Sequence, residues 1–376
     1  MARSQTIRVN DLSGLLNRLF PFQLAEDWDN VGLQLGEGEA PVEKVLVCLD
    51  IDTTVIAEAE RLGAQAIVAH HPLLFKPLKR IAPVDEVGRS VYDAIRAGIA
   101  LFSLHTNLDR ARGGLNDWLA ERLGLEQLEV LADGGDDSLL KLVVYVPEGH
   151  QDKVSDALFA SGAGHIGKYD SCSFRVEGEG SFRPGAGTNP WTGREGELER
   201  VREWRLETVV PRERLDRAVA WMVKAHPYEE VAYDILPMQN RRTDIGLGRI
   251  GRLPQPQPLE AFAARVKSAL DLDHLRLSGT LVGEIGKVAV CGGSGAFLLH
   301  QAHRRGADVL ITGDVKYHEA REAEQLGIVL LDAGHFGTEK IAIEGLVKAL
   351  TLAARQNSWT IEFIAHAGEA EPFRVA

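Results

Sequence analysis

The chain has 376 residues, 45% hydrophobic and 26% charged, a composition that suits a soluble globular protein with two or three domains and substantial cores. Its net charge of −12 and pI near 5.5 argue against a general binder of nucleic acid or anionic membrane, because phosphate contacts need clustered Lys and Arg.

Residues 10 to 20 have helical spacing, with Leu12, Leu15, Leu16 and Leu19 as an apolar stripe and Asp11 and Ser13 as cap candidates. Trp28-Asp29-Asn30-Val31-Gly32-Leu33-Gln34 then forms a loop dense in acidic, amide and glycine residues, which a backbone turn explains as well as a site does. From Lys44 the pattern is regular: strand Val45 to Leu49, helix Thr53 to Leu62, strand Ala66 to Ala69. That last strand ends in His70-His71-Pro72. A helix from about Val87 to Arg96 leads to the strand Ile99 to Leu104, which empties into His105-Thr106-Asn107-Leu108-Asp109, then Gly113-Gly114 and Asn116. Strands alternating with helices imply a parallel sheet with right-handed crossovers, whose sites lie beyond the carboxyl ends of the strands. His70, His71, His105 and Asp109 therefore gather at one edge.

Residues 128 to 240 break this rhythm. A strand over Lys141 to Val146, a helix over Asp152 to Ala160 and a strand over Ser171 to Val176 precede an irregular, glycine-rich stretch from Gly178 to Gly196. A helix over Arg212 to Ala225 and a strand over Val231 to Leu236 follow. Two β-α-β units in tandem predict a ferredoxin-like α+β insert, bounded by the polar stretches Asp133 to Asp137 and Gln239 to Arg242. His226-Pro227-Tyr228-Glu229-Glu230 has the look of a metal or acid/base cluster, but a turn after a helix explains it better because no partner stretch supports it.

After Gly246 the first plan returns. A helix over Leu259 to Ala269 precedes the strand Lys287 to Cys291, which enters Gly292-Gly293-Ser294-Gly295. The helix Ala296 to Arg304, the strand Asp308 to Ile311, Thr312-Gly313-Asp314 with His318, a helix to Leu326 and the strand Ile328 to Leu331 follow. Gly334-His335-Phe336-Gly337-Thr338-Glu339 then opens a helix to about Arg355. The expectation is an α/β protein of two related α/β half-domains, 1–127 and 243–376, facing each other across a metal cleft, with residues 128–242 inserted.

Imidazole is the commonest protein ligand for transition metals, yet an adjacent pair of histidines is by itself weak evidence for a site. Two vicinal imidazoles in an extended segment point to opposite sides, which suggests two ions, one per histidine. His335 and Glu339, four apart at a helix start, share one face. His70, His71, Asp109, His335 and Glu339 are N and O ligands without thiolate, suited to two divalent ions of zinc, iron or manganese with positions left for water. A natural division gives one ion His70 and Asp109 and the other His71 and His335, with Glu339 bridging. Such a pair brings the pKa of water toward neutrality, which is hydrolytic chemistry. His105, Asp314 and His318 could orient ligands or move protons, or be ordinary turn residues. The Gly292 to Gly295 turn could offer amides to a phosphate, but it lacks the P-loop lysine and dinucleotide spacing.

Cys48, Cys172 and Cys291 are far apart without CxxC spacing and read as buried or free thiols of a reducing compartment. Met1 to Gln5 lack a signal-like apolar segment and no run reaches membrane-spanning length, so a cytoplasmic protein is expected.

Six stretches in this order, Trp28 to Gln34, Ala69 to Pro72, His105 to Asp109, Gly292 to Gly295, Thr312 to Asp314 with His318, and Gly334 to Glu339, resemble the Nif-three-like family, whose members go by the name GTP cyclohydrolase I type 2 homologues. The resemblance covers about two thirds of the chain. It implies a two-metal site whose ligand motif falls on His70, His71, Asp109, His335 and Glu339. It also implies a toroidal homohexamer with sites facing an internal cavity, and a PII- or CutA-like insert of the longer bacterial members. Beside a structural ring with incidental metals, two functions compete. One is a dinuclear-metal hydrolase of a nucleotide or related small molecule, with Glu339 holding the pair and His105 or His318 moving protons. The other is a non-enzymatic metal-binding or trafficking protein with a ligand-sensing insert.

Overall fold

The computed structural model describes residues 6–133, 139–240, 242–280 and 283–374. The chain divides into two compact units, one of Met1–Gly134 with Thr243–Ala376 and one of Gly135–Arg242. Of the two polar boundary stretches, residues 134–137 and Arg241 lie outside the described residues, as do Met1 to Gln5.

The first unit begins with α1 (Val9–Leu19), β1 (Gly32–Leu35), β2 (Lys44–Cys48), α2 (Thr53–Leu62), β3 (Ala66–Ala69), α3 (Glu86–Ala97) and β4 (Ala100–Ser103). The short α4 (Thr106–Arg110), α5 (Leu115–Arg122) and β5 (Glu126–Asp133) complete this part. The Asp52 carboxylate caps α2 by accepting from the Thr54 and Val55 amides, and Asp85 caps α3 through Gly88. Strands β2, β3 and β4 run parallel, and β1 lies antiparallel against β4. Val45, Val47, Ala66 and Val68 pack into one core, and Leu46, Cys48, Ile67 and Ala69 into another on the opposite face. Burial on both faces is why these strands read as unbroken apolar runs, and each buried Val, Leu or Ile contributes about 1.5–3 kcal/mol.

The second unit contains β6 (Leu139–Pro147), α6 (Gln151–Ser161), β7 (Ser173–Phe182), β8 (Glu199–Pro211), α7 (Leu215–Ala225) and β9 (Tyr233–Pro237). All its pairings are antiparallel, in the order β7-β8-β6-β9. The stretch read as irregular from Gly178 is corrected here: β7 continues to Phe182 because β8, a strand the sequence reading passed over, pairs with it residue for residue. β7 is largely exposed and the first half of β8 is only partly covered, so Glu and Arg occupy them without the continuous burial that makes a strand legible.

The first unit resumes with β10 (Gly246–Gln257), α8 (Leu259–Leu270), β11 (Arg276–Ser278), β12 (Ile285–Val290), α9 (Leu299–Arg304) and β13 (Val309–Thr312). It ends with α10 (Tyr317–Leu326), β14 (Val329–Asp332), α11 (His335–Glu339), α12 (Ile341–Gln356) and β15 (Glu362–Ala365). Strands β12, β13 and β14 are parallel, β11 runs antiparallel beside β14, and β10 and β5 extend the other edge. In the first sheet β15 joins β2 in parallel. The edge strands β1, β5, β11 and β15, and β10 between β12 and β5, were not anticipated. Pro254 and Pro256 within β10, and the three-residue length of β11, remove the usual signals. The helix expected over Ala296 to Arg304 opens as a 3-10 turn at Ala296–Leu298, and the helix after His335 is broken at Lys340 into α11 and α12. Among the described residues no helix is long and apolar enough to cross a membrane.

Candidate metal centre

The carboxyl ends of β3 and β4 deliver the first donors. His70 is completely buried, and its Nδ1 donates to the Leu104 carbonyl at 2.7 Å, which turns Nε2 toward the cluster. His71 is 22% exposed, with Nδ1 2.9 Å from Asp50 Oδ1 beyond the end of β2. The expectation that the two rings point to opposite sides is not met. Their centroids are 5.0 Å apart and their planes inclined by 40°, because the strand ends at Ala69 and the pleat no longer alternates the side chains. His105 follows β4, its Nδ1 2.9 Å from Asp29 Oδ1, and Asp29 also accepts from the Thr106 amide. Asp109 lies one turn later in α4, with Oδ1 3.7 Å from His70 Nε2.

The second sheet supplies the rest. Gly334 sits at φ 77° after β14, and α11 then places His335 and Glu339 on one face, with His335 Nε2 2.9 Å from Glu339 Oε2. His335 Nδ1 is 2.7 Å from Asp314 Oδ2 at the end of β13. Glu339 is 3% exposed. Its Oε2 also lies 2.9 Å from His71 Nε2, and its Oε1 is 3.7 Å from His70 Nε2. Gly293 makes room for this carboxylate: it has φ +59°, and a Cβ there would stand 2.2 Å from Glu339 Oε1. Asn116, fully buried in α5, ties the two edges together by donating to the Asp109 carbonyl and accepting from the Gly292 amide, both at 2.9 Å.

Four imidazoles thus share one construction, with Nδ1 held by a carbonyl or carboxylate and Nε2 left to the cluster. This is how metal-ligating histidines are fixed in tautomer and orientation. Ligand atoms of His71, His335 and Glu339 lie within 4.8 Å of one another, as do those of His70, His71 and His105. His70 Nε2 and Asp109 Oδ1 are buried without a hydrogen-bond partner. Each such group costs about 1–3 kcal/mol, and two that face one another at 3.7 Å fit a cation between them.

The electrostatics agree. Burial alone would depress His71, but Asp50 and Glu339 override it and raise it from 6.5 to about 10. The bond to Glu339 is the main cause that lifts His335 to about 9, with Asp314 adding to it against burial. Burial depresses His70 too, and Asp109 and Glu339 reverse the sign to leave it raised. Burial would raise Glu339, but the surrounding histidines hold it well below the usual carboxylate range. Burial lifts Asp109 to about 6. Without a metal ion, protons on the histidines supply the positive charge that this carboxylate demands.

Of the residues singled out from sequence, His70, His71, His105, Asp109, His335 and Glu339 converge, and Asp314 orients His335. His318 does not join them. It is exposed in the first turn of α10 against Tyr317, and neither ligand group among the described residues contains it. The Gly292 to Gly295 turn is no anion cradle, because the amides of Gly292, Gly293 and Gly295 already donate to Asn116, Thr338 and Thr312. His226 behaves as a turn residue, with Nε2 donating to the Tyr145 carbonyl and Nδ1 accepting from the Tyr228 amide. Asp29 and Asp50 were missed as orienting carboxylates. They are 76 and 21 residues from their histidines, and only their positions at loop and strand ends hinted at a role.

A profile of the family described as DUF34/NIF3 (NGG1p interacting factor 3) matches residues 7–372. A protein of Halalkalibacterium halodurans called GTP cyclohydrolase 1 type 2 homolog is 43% identical over 359 residues, 96% of each chain. The Bacillus subtilis protein of the same name is 41% identical over 370 residues, 98% of this chain and 99% of its own. The crystal structure of a Bacillus cereus protein related to NIF3 superposes with a TM-score of 0.88 at 41% identity, covering 99% of this chain and 100% of that one. The Staphylococcus aureus protein SA1388 gives a TM-score of 0.77 at 30% identity, with 99% of each chain covered. This chain belongs to the DUF34/NIF3 family.

Proposed function

We propose that this chain holds two divalent ions and is a metal-dependent hydrolase of a nucleotide or related small molecule, as the name borne by its relatives suggests. The observation that carries the reading is Glu339. One carboxylate oxygen faces His70, beside Asp109, and the other faces His71 and His335, so the donors fall into two groups joined by a single side chain. His70 and Asp109 would hold one ion and His71 and His335 the other, with Glu339 shared. Such a pair, zinc, iron or manganese, supplies Lewis acidity and activates water. Within the chain, Asp50 and Asp314 orient His71 and His335, and Asp29 fixes His105 with Nε2 toward the cluster, where it can hold or deliver a proton.

Matching topology supports two related half-domains around this site. Each sheet has three sequential parallel strands with an antiparallel strand beside the last, and each third strand leads into a five-residue helix, the first capped by His105 and carrying Asp109, the second carrying His335 and Glu339. The order β7-β8-β6-β9, with α6 and α7 as crossovers, supports a ferredoxin-like reading of the insert over Leu139 to Pro237, residues 128–133 belonging instead to β5 of the first unit. A hexameric ring in the cytoplasm completes the proposal.

The test is bound metal per chain by elemental mass spectrometry, on protein purified without chelator, with turnover followed on a nucleotide panel. About two ions are expected, falling to about one or none in Glu339→Ala with loss of turnover. Retained turnover in a folded Glu339→Ala protein would sink the mechanism.

A further inference from the structure

The stretch from Trp28 to Gln34, a loop that runs into β1, is only partly used by the metal centre. Asp29 orients His105, but the rest serves another end. Trp28 is 58% exposed and Phe75 46% exposed, yet their rings meet edge to face, 5.8 Å between centroids at 66°. The Trp28 ring is also 6.0 Å from that of His105. Large aromatic rings left in water are normally held there by nothing, whereas these two are clamped from behind. Asn30 Nδ2 donates to the Leu74 carbonyl at 2.5 Å, the Leu74 amide donates to Gln34 Oε1 at 3.1 Å, and Gln34 Nε2 donates to the Asn30 carbonyl at 2.9 Å. The carbonyl and amide of Leu74, the residue before Phe75, are therefore taken by the side chains of Asn30, in the loop that carries Trp28, and of Gln34, in β1. Asp29, the residue after Trp28, has a fully buried side chain held by His105 Nδ1 and the Thr106 amide. A hydrogen-bonded frame that fixes two exposed rings beside a metal-ligating cluster is built to present aromatic faces. Lys76, Lys79 and Arg80 follow in the same exposed loop and bring positive charge to a chain of net −12.

We propose that Trp28 and Phe75 form the platform on which the planar heteroaromatic ring of an anionic substrate lies beside the metal centre. The inference rests on the hydrolase reading and adds to it the residues that select the ring.

The test uses the full-length, metal-loaded protein and equilibrium binding of GMP, CMP and nicotinamide mononucleotide, with ribose 5-phosphate as the ring-free control. Trp28→Ala is expected to weaken the ring-bearing probes about tenfold or more, the range for loss of one base–aromatic stack, and Trp28→Phe to restore most of the affinity. Ribose 5-phosphate binding and metal per chain should stay at the wild-type level, which separates failure of the platform from failure of the metal site. The proposal is overturned by any of four results: unchanged affinities in Trp28→Ala, equal weakening of ribose 5-phosphate, a wild type that binds no ring-bearing probe more tightly than ribose 5-phosphate, or a change in subunit association without a change in affinity, which would mean that a second copy covers the pair.

Discussion

The two flanks of Glu339 use the same kinds of donor and differ in how much water reaches them. On the inner flank His70 is completely buried, and Nε2 stands 3.7 Å from both Asp109 Oδ1 and Glu339 Oε1, too far for a hydrogen bond to either. On the outer flank His71 and His335 are 22% and 39% exposed and each makes a 2.9 Å contact with Glu339 Oε2. A proton can take the place of a cation on the outer flank, where the rings reach hydrogen-bond distance and solvent. The inner pair, His70 Nε2 and Asp109 Oδ1, has no hydrogen-bond partner among the described residues. The inner position should therefore be the tighter metal site, and the outer one the position where protons and ions compete.

Breaking the inner flank should have the largest effect. Asp109→Asn is expected to remove the inner ion and leave about one per chain, with turnover lost. Elemental analysis of the purified variant decides, and two ions per chain would show that Asp109 is no ligand.

The pH dependence of the metal-free protein sharpens the outer flank. A histidine whose folded pKa is raised contributes stability that is fully present below its unfolded value and lost as pH rises through the folded one. For His71 that window runs from 6.5 to about 10, and for His335 from 6.5 to about 9. Chemical denaturation of chelator-treated protein should therefore show stability falling across this range. Metal-loaded protein, in which the rings bind unprotonated, should lose less, and metal affinity should rise with pH over the same interval. A flat profile for the metal-free protein would remove the idea that protons stand in for the cation.

The smallest effect is expected from Asp314→Asn, which leaves the His335 ligand in place but weakens its orientation. Loss of such an orienting partner costs 10–100-fold in metal affinity, and the 44% exposure of Asp314 favours about tenfold. Competition with a chromogenic chelator measures it, and an equal loss at the inner position would blur the distinction between the flanks.

Local pattern was enough to locate most donors. His70, His71 and Asp109 follow strands whose apolar runs are unmistakable, and His335 and Glu339 carry helical spacing. Each could be placed at a strand end without knowing what lay opposite. The parallel strands were equally plain because both of their faces are buried, whereas β8, β10 and the edge strands were not, because solvent on one or both sides permits Glu, Arg, Gly and Pro.

What the sequence by itself determined was the inventory: which residues can hold a divalent ion, and the strand ends that carry them. Only the tertiary structure decided their pairing. That Glu339 turns one oxygen to His70 and the other to His71 and His335 depends on Gly293 yielding space, and on Asn116 joining the edges, contacts between residues 46 and 176 positions apart. Asp29 and Asp50 acquire their roles, and Trp28 its place beside Phe75 and His105, through contacts that no local period encodes. Hydrophobic periodicity records which face of an element is buried. The partner across a cleft is set by how the packed elements meet, and that information is not local to any stretch of chain.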